Sequence, residues 1–330
     1  MPHTHALTTT PPIAIPIAGF KSVYDTAKVE HALQELSASA HEGLRGTYEK
    51  MLKNGGARLC VKPSHMPDMQ ALYRELPNFS EVLDDIRKQL ALCMETSDPL
   101  ELAPMLLLGE PGIGKTHFAK RLSQILGTAY GFVSMSSLTA GWVLSGSSSQ
   151  WKNSKTGKVF DTLVHGSYAN PVMVVDEIDK AAVDGQYDPL GALYSLLEPD
   201  TAEEFIDEFA EIPINARDIV WIATANQGQT IPEPILNRMN VYQIDAPNLA
   251  AARNIALSIY QDIRGAHVWG ERFPIQPADA TLDVLARCRP REMRRLILHG
   301  FGNARLHNRD RILPEDIEME RSMKRARIGF

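Results

Sequence analysis

Apolar residues recur along this chain with two periods, and the switches between them divide it. From Thr26 to about Asn54, Val29, Leu33, Leu36, Leu44, Tyr48, Met51 and Leu52 follow helical spacing. This predicts a small helical N-terminal region, ended by Gly55-Gly56. Pro77-Asn78 punctuates the chain, after which Phe79, Val82, Leu83, Ile86, Leu90 and Met94 form the apolar stripe of another helix. From residue 105, short apolar runs at 105–108, 132–135, 172–175, 220–225 and 241–244 alternate with helical patterns. Such runs of Val, Ile and Leu predict strands buried on both faces, hence a parallel five-stranded sheet flanked by helices. After Pro247 the runs stop, and 250–263, 280–288, 290–306 and 314–323 read as helices, with Pro290 and Pro314 in first turns that tolerate proline. The expected class is α/β with an all-α C-terminal cap. Its divisions are a leader at 1–20, a helical region at 21–75, the α/β core at 76–246 and the cap at 247–330.

Length and charge narrow this picture. A chain of 330 residues exceeds what one hydrophobic core organises, and 44% hydrophobic content is enough for sizeable cores. A net charge of -6 offers no general attraction to nucleic acid or to an anionic membrane surface, so neither is an expected partner. Cys60, Cys93 and Cys288 lie far apart without CxxC pairing or histidine neighbours. That points away from a zinc site or a disulfide framework and toward a reducing cytoplasm. No stretch reaches the roughly 18 uncharged apolar residues of a membrane span. The Thr- and Pro-rich leader lacks the basic-then-apolar order of a signal peptide. The basic run at 324–327 reads as a solvated end.

The candidate chemistry begins after the first buried strand, with Gly109, Glu110, Pro111, Gly112, Ile113, Gly114, Lys115 and Thr116, followed by His117. This GxxxxGKT run between a strand and a helix is the context of a Walker A loop, and the nine residues are assigned to nucleotide binding. Glycines let the backbone turn tightly and aim N–H groups at phosphate oxygens, while the helix start adds positive partial charge. Lys115 is expected to reach the β- and γ-phosphates of ATP, and Thr116 to hold Mg²⁺. The run 172–175 ends in Asp176 and Glu177, as a Walker B strand does. Asp176 is expected in the Mg²⁺ shell, and Glu177 as the base that polarises the attacking water. Asn226, closing the run at 220–225, suits the orientation of that water, with a turn-forming asparagine as the alternative. Arg238, just before the last strand, suits neutralisation of phosphoryl charge across a subunit boundary, with a surface ion pair as the alternative.

These segments resemble the AAA+ family, and closely resemble the ATPase module of Lon proteases. The resemblance covers about 75 to 325 and is carried most specifically by Asp176-Glu177-Ile178-Asp179-Lys180, Leu196-Leu197-Glu198-Pro199-Asp200, Phe205-Ile206-Asp207, Thr224-Ala225-Asn226 and Leu236-Asn237-Arg238-Met239. It implies that Asn226 is sensor 1, Arg238 an arginine finger and the helical cap a lid. The lid should open with a second sensor, matched by Arg291 with Arg289 as competitor, because the glycine usual in Lon-type lids is missing. The resemblance also sets Trp151 and Lys152 on a loop lining a central pore, where a large planar ring grips a threaded polypeptide without regard to sequence. Packing under the serine-rich stretch 145–149 is the other reading of Trp151.

The resulting expectation is a Mg²⁺-dependent ATPase working as a homo-oligomer, a hexameric ring, on a protein client. The chain stops at Phe330, before the protease domain of Lon, so no peptide-bond hydrolysis is expected from it. Two alternatives stand beside this: an ATP-controlled assembly switch or loader acting on a partner protein or nucleic acid, and a motor for a separately encoded protease or other effector.

Overall fold

The computed structural model describes residues 17–37, 42–137, 142–151, 153–181 and 188–318. Lys152 and the basic run 324–327 lie outside them, as do residues 1–16 of the expected leader. The N-terminal part opens with strand β1 (Ile17–Ser22), helices α1 (Thr26–Glu35) and α2 (Glu42–Asn54), and strand β2 (Ala57–Lys62). The helical character of 26–54 was legible in the apolar spacing, but its division into two helices and the antiparallel β1–β2 pair were not, and that pair takes residues 17–20 out of the leader. Helices α3 (Met69–Glu75) and α4 (Ser80–Cys93) lead into the α/β core.

The core sheet is built from β3 (Met105–Leu108), β4 (Tyr130–Ser134), β5 (Val172–Asp176), β8 (Val220–Ala225) and β9 (Asn240–Gln243). A short antiparallel pair, β6 (Phe205–Ile206) and β7 (Pro213–Ile214), precedes β8. The five core strands are all parallel, in the order β4-β5-β8-β3-β9. Alternation along the inner strands β3, β5 and β8 feeds two separate cores. Leu106, Met173, Val175, Trp221 and Ala223 face one, while Met105, Leu107, Val172, Val174, Val220 and Ile222 face the other. The inner strands β3, β5 and β8 are buried on both faces, as their continuous apolar runs predict, whereas the edge strands β4 and β9 expose Phe132 and Val241, contrary to that expectation.

Crossover helices cover the sheet: α5 (Lys115–Leu126) follows β3, and α6 (Trp142–Ser145) and α7 (Lys158–Val164) follow β4. Short helices α8 (Leu193–Leu196), α9 (Pro199–Ala202) and α10 (Glu233–Leu236) fill the longer connections. The cap contains α11 (Leu249–Ala266), α12 (Asp279–Ala286) and α13 (Pro290–Leu306), with a helical segment at 314–318. Its own core gathers Tyr260, Phe273, Leu285, Met293, Ile297 and Phe301.

The N-terminal part is integrated with the α/β core. Val29, Leu44, Tyr48 and Met51 join the same apolar cluster as Trp221. Two buried cations fasten the junction, each 5% exposed. Arg58 donates to the carbonyls of Leu163 and Val164 at the end of α7, and Lys62 donates to those of Cys93, Thr96 and Asp98 after α4. Helix C-terminal carbonyls lack partners within the helix, so a positive charge there satisfies them and complements the helix dipole.

Candidate nucleotide site

Where β3 hands over to α5 the chain cannot continue straight. Gly112 and Gly114 adopt φ of 85° and 107°, in the left-handed region that suits glycine, and Gly114 caps the helix. A Cβ on Gly109 would meet the Ile244 carbonyl oxygen at 2.2 Å, so the loop can pass β9 only without a side chain there. At the start of α5 the Lys115 ammonium donates to the carbonyls of Gly109 at 2.5 Å and Glu110 at 3.0 Å, and to Asn226 Oδ1 at 3.2 Å. Burial pushes this lysine below its ordinary range, against the opposing pull of Asp176, Asp179 and Glu177. A buried ammonium beside a glycine loop suits an anion, which would restore the charged form that burial disfavours.

The strand ends beside the loop bring the acids together. Thr116 donates to Asp176 Oδ1 at 3.1 Å, and the hydroxyl of Thr224 donates to the same oxygen at 2.7 Å. That Thr224 oxygen in turn accepts the Glu177 backbone N–H at 3.1 Å. Glu177 itself sits in the left-handed region at φ 57°, a conformation costing about 1 kcal/mol or more for a side-chain-bearing residue. The hydroxyl of Thr116 and the carboxylate of Asp176 are hard oxygen donors at the mouth of a phosphate loop, a donor set that fits Mg²⁺, which takes few protein ligands and completes its shell with water and phosphate.

These residues line a cavity of about 630 Å³ bounded by the loop 111–117, Asp176, Glu177, Thr224 and Asn226, and roofed by the cap through Ile255, Ile259, Arg291 and Arg294. The first turn of α13 rests on the loop, where Arg291 N–H donates to the Gly112 carbonyl at 3.2 Å and a Cβ on Gly112 would come within 3.2 Å of Arg291 Cβ. Arg291 therefore faces the cavity. Arg289 stays outside it, 70% exposed and 4.0 Å from Glu110. His117 reaches the cavity rim, 3.4 Å from Glu75 on α3, which Arg121 also contacts at 3.0 Å. Burial works to raise the Glu75 carboxyl, but hydrogen bonds and charge from His117 and Arg121 outweigh it and hold it below its ordinary range.

Not every expected residue gathers here. Arg238 lies in a second concavity, paired with Glu198 at 2.9 Å and donating to the Pro234 carbonyl at 2.6 Å. Trp151, 41% exposed, meets Trp142 edge-on at 5.9 Å between centroids, on a loop that does not line the cavity. Conversely, the site uses residues that the sequence did not single out. Thr224 is one: it stands in the segment Thr224-Ala225-Asn226 that carries the resemblance, but no role at the site followed from that. Asn78 ties the start of α4 to the carbonyls of Ile113 and Asp245 at 3.3 Å each, and Phe79 stacks on Phe118 beneath the loop at 4.8 Å. Arg294 is on the same helix as Arg291, one turn on.

A parallel sheet in this order, with a glycine phosphate loop between the inner strand β3 and α5, defines a P-loop NTPase. Within that class, residues 105–244 match the profile of the ATPase family associated with various cellular activities (AAA), so the chain carries an AAA ATPase domain. Among curated proteins, the chain is 32% identical over 166 residues to Lon protease of Clostridium beijerinckii, covering 50% of this chain and 21% of that protein. It is 29% identical over 212 residues to Lon protease 1 of Thermus thermophilus, covering 64% and 25%. The chain thus spans about a fifth to a quarter of the length of these relatives. Among solved structures, the RuvB Holliday junction branch migration motor of Thermotoga maritima is similar at 16% identity and a TM-score of 0.46, over 72% of this chain and 67% of that one. Among the described residues, no helix is long and apolar enough to cross a membrane.

Proposed function

We propose that this chain is a Mg²⁺-dependent ATPase that assembles as a homohexameric ring in the cytoplasm and uses hydrolysis to thread or remodel a protein client. The observation that carries this reading is the separation of Arg238 from the cavity holding Lys115, Asp176, Glu177 and Asn226. Arg238 is at the opposite end of the strands from its own cavity, so unlike Arg291 and Arg294 it could reach phosphates only in the site of a neighbouring copy.

In this reading the loop N–H groups and Lys115 bind the β- and γ-phosphates, and Lys115 exchanges its loop carbonyls for phosphate oxygens. Mg²⁺, when bound, neutralises phosphate charge, with Thr116 and Asp176 as the residues that would hold it. Glu177 accepts the proton of the attacking water, and its strained backbone, held through Thr224, fixes the carboxylate for that task. Asn226 orients the water, Arg291 and Arg294 report phosphate occupancy to the cap, and His117 adjusts the rim. Trp151, with Lys152 beside it, meets the client. A separate protease or other effector chain is compatible with such a motor.

The test is the dependence of specific turnover on protein concentration, joined to electron microscopy of Glu177→Gln with ATP. Cooperative onset of turnover and six-membered rings are expected. Concentration-independent turnover from a monomer would remove the ring from the account.

A further inference from the structure

The loop bearing Trp151 is closed at a neck. Ser147 N–H donates to the Lys155 carbonyl and Lys155 N–H to the Ser147 hydroxyl, each at 3.1 Å. Just below, Gly146 and Gly157 touch: a Cβ on Gly157 would lie 2.4 Å from Gly146 N and 2.2 Å from the Leu144 carbonyl oxygen. A Cβ on Gly146, which is at φ 80°, would lie 2.6 Å from Asp207 Oδ1. The neck therefore sits directly on the Asp207 carboxyl, which is wholly buried.

Asp207 belongs to another segment, the loop 207–212 between β6 and β7. Its Oδ2 accepts the Gly157 N–H at 2.7 Å, while Oδ1 accepts those of Phe209 and Ala210 at 3.0 and 3.1 Å. One carboxyl thus spans both loops. Around it, Glu208 N–H donates to the Ser145 carbonyl at 2.7 Å, Ser145 Oγ donates to Glu208 at 3.2 Å, and Ser149 Oγ donates to Glu211 at 3.1 Å. From the N-terminal part, the buried Tyr48 hydroxyl of α2 donates to the Ala210 carbonyl at 2.8 Å.

We propose that Asp207 is a positioning residue for client engagement: it pins the neck of the Trp151 loop to the loop 207–212, making one rigid unit that α2 braces through Tyr48. The proposal rests on the reading of Trp151 as the client contact. It also gives the N-terminal part a task, the support of the client-contacting loops. Asp207 lines neither cavity, so its effect on ATP hydrolysis itself is small. Burial pushes its carboxyl up to about 6, a cost that the three N–H donors partly offset.

The test uses the full chain and fluorescein-labelled casein as an unfolded client. Asp207→Asn keeps the size of the side chain but cannot supply acceptors to both loops, because its amide N–H₂ must face one of the three donors. Expected are faster hydrogen exchange at the Gly157 amide, a rise of about tenfold in the casein concentration for half-maximal ATPase stimulation, and turnover within about twofold of wild type both without casein and at saturation. Tyr48→Phe removes one hydroxyl, keeps the fold if Asp207→Asn does not, and should move the same casein concentration about threefold. Trp151→Ala separates the two claims. If it abolishes the casein response while Asp207→Asn and Tyr48→Phe leave the casein concentration and Gly157 exchange unchanged, the positioning role is overturned and the client reading stands. If the casein response survives Trp151→Ala, or wild type has none, the client reading falls and this proposal with it.

Discussion

Two concavities among the described residues lie at opposite ends of the same sheet. The nucleotide cavity is at the C-terminal ends of β3, β5 and β8, where each strand delivers one polar group or loop: the glycine loop, Asp176 and Asn226. The second, about 570 Å³, is at the N-terminal ends of β3, β8 and β9, lined by 102–104, 219–221 and Asn240. In the first, Lys115 rests on carbonyls that a phosphate would replace, and cap residues close over it. In the second, the cations are already paired, Arg238 with Glu198 and Arg217 with Glu203. The contrast teaches that the sheet gathers the loop, Asp176 and Asn226 at one end, while Arg238 is carried at the other and held in an intramolecular ion pair.

Five substitutions break or sharpen this contrast. Arg238→Ala is expected to lower turnover by about 10³-fold or more while ATP affinity is kept, since the loss falls on the transition state of a neighbouring site. Turnover near wild type would reduce the second concavity to a surface feature. Glu177→Gln should lose about 10²- to 10⁴-fold in turnover with binding retained, measured by single-turnover hydrolysis against filter-bound ATP. Arg291→Ala should weaken ATP binding by about tenfold, the worth of a charge-assisted hydrogen bond, whereas Arg289→Ala should change it less than about twofold. Equal effects would move the cap arginine assignment. Glu198→Gln should alter turnover by less than about threefold and stability by at most about 1 kcal/mol, because the pair with Arg238 is partly exposed. A larger loss of turnover would give Glu198 chemistry beyond holding the cation.

How much was legible beforehand follows from what each residue faces. The inner core strands could be read because both faces are buried: all six residues of β8 and the first four of β5 are apolar or nearly so and inaccessible. The phosphate loop and the acids at 176 and 177 were legible because their chemistry is local in sequence. The β1–β2 pair was hidden because Ala57 to Lys62 mixes Arg58, Cys60 and Lys62 with apolar residues, and buried Arg and Lys look like surface positions until their carbonyl partners are known. Thr224 looked like strand filler because its partners, Asp176 and Glu177, come from another strand. The choice between Arg289 and Arg291 required the docking of α13 on Gly112, a tertiary contact between distant parts of the chain that no local pattern carries. Asp207 stood in a recognised stretch, but its pairing with Gly157 spans 50 positions.

Mixing two impaired variants tests the central claim most directly. Glu177→Gln keeps Arg238 but cannot activate water, and Arg238→Ala keeps Glu177 but lacks the guanidinium. If the two ends of the sheet meet across a subunit boundary, an equimolar mixture should regain turnover at about a quarter of its sites, those where an intact Glu177 faces an intact Arg238. Turnover in the mixture equal to the mean of the two separate variants, under conditions where subunits exchange, would contradict a site shared between copies.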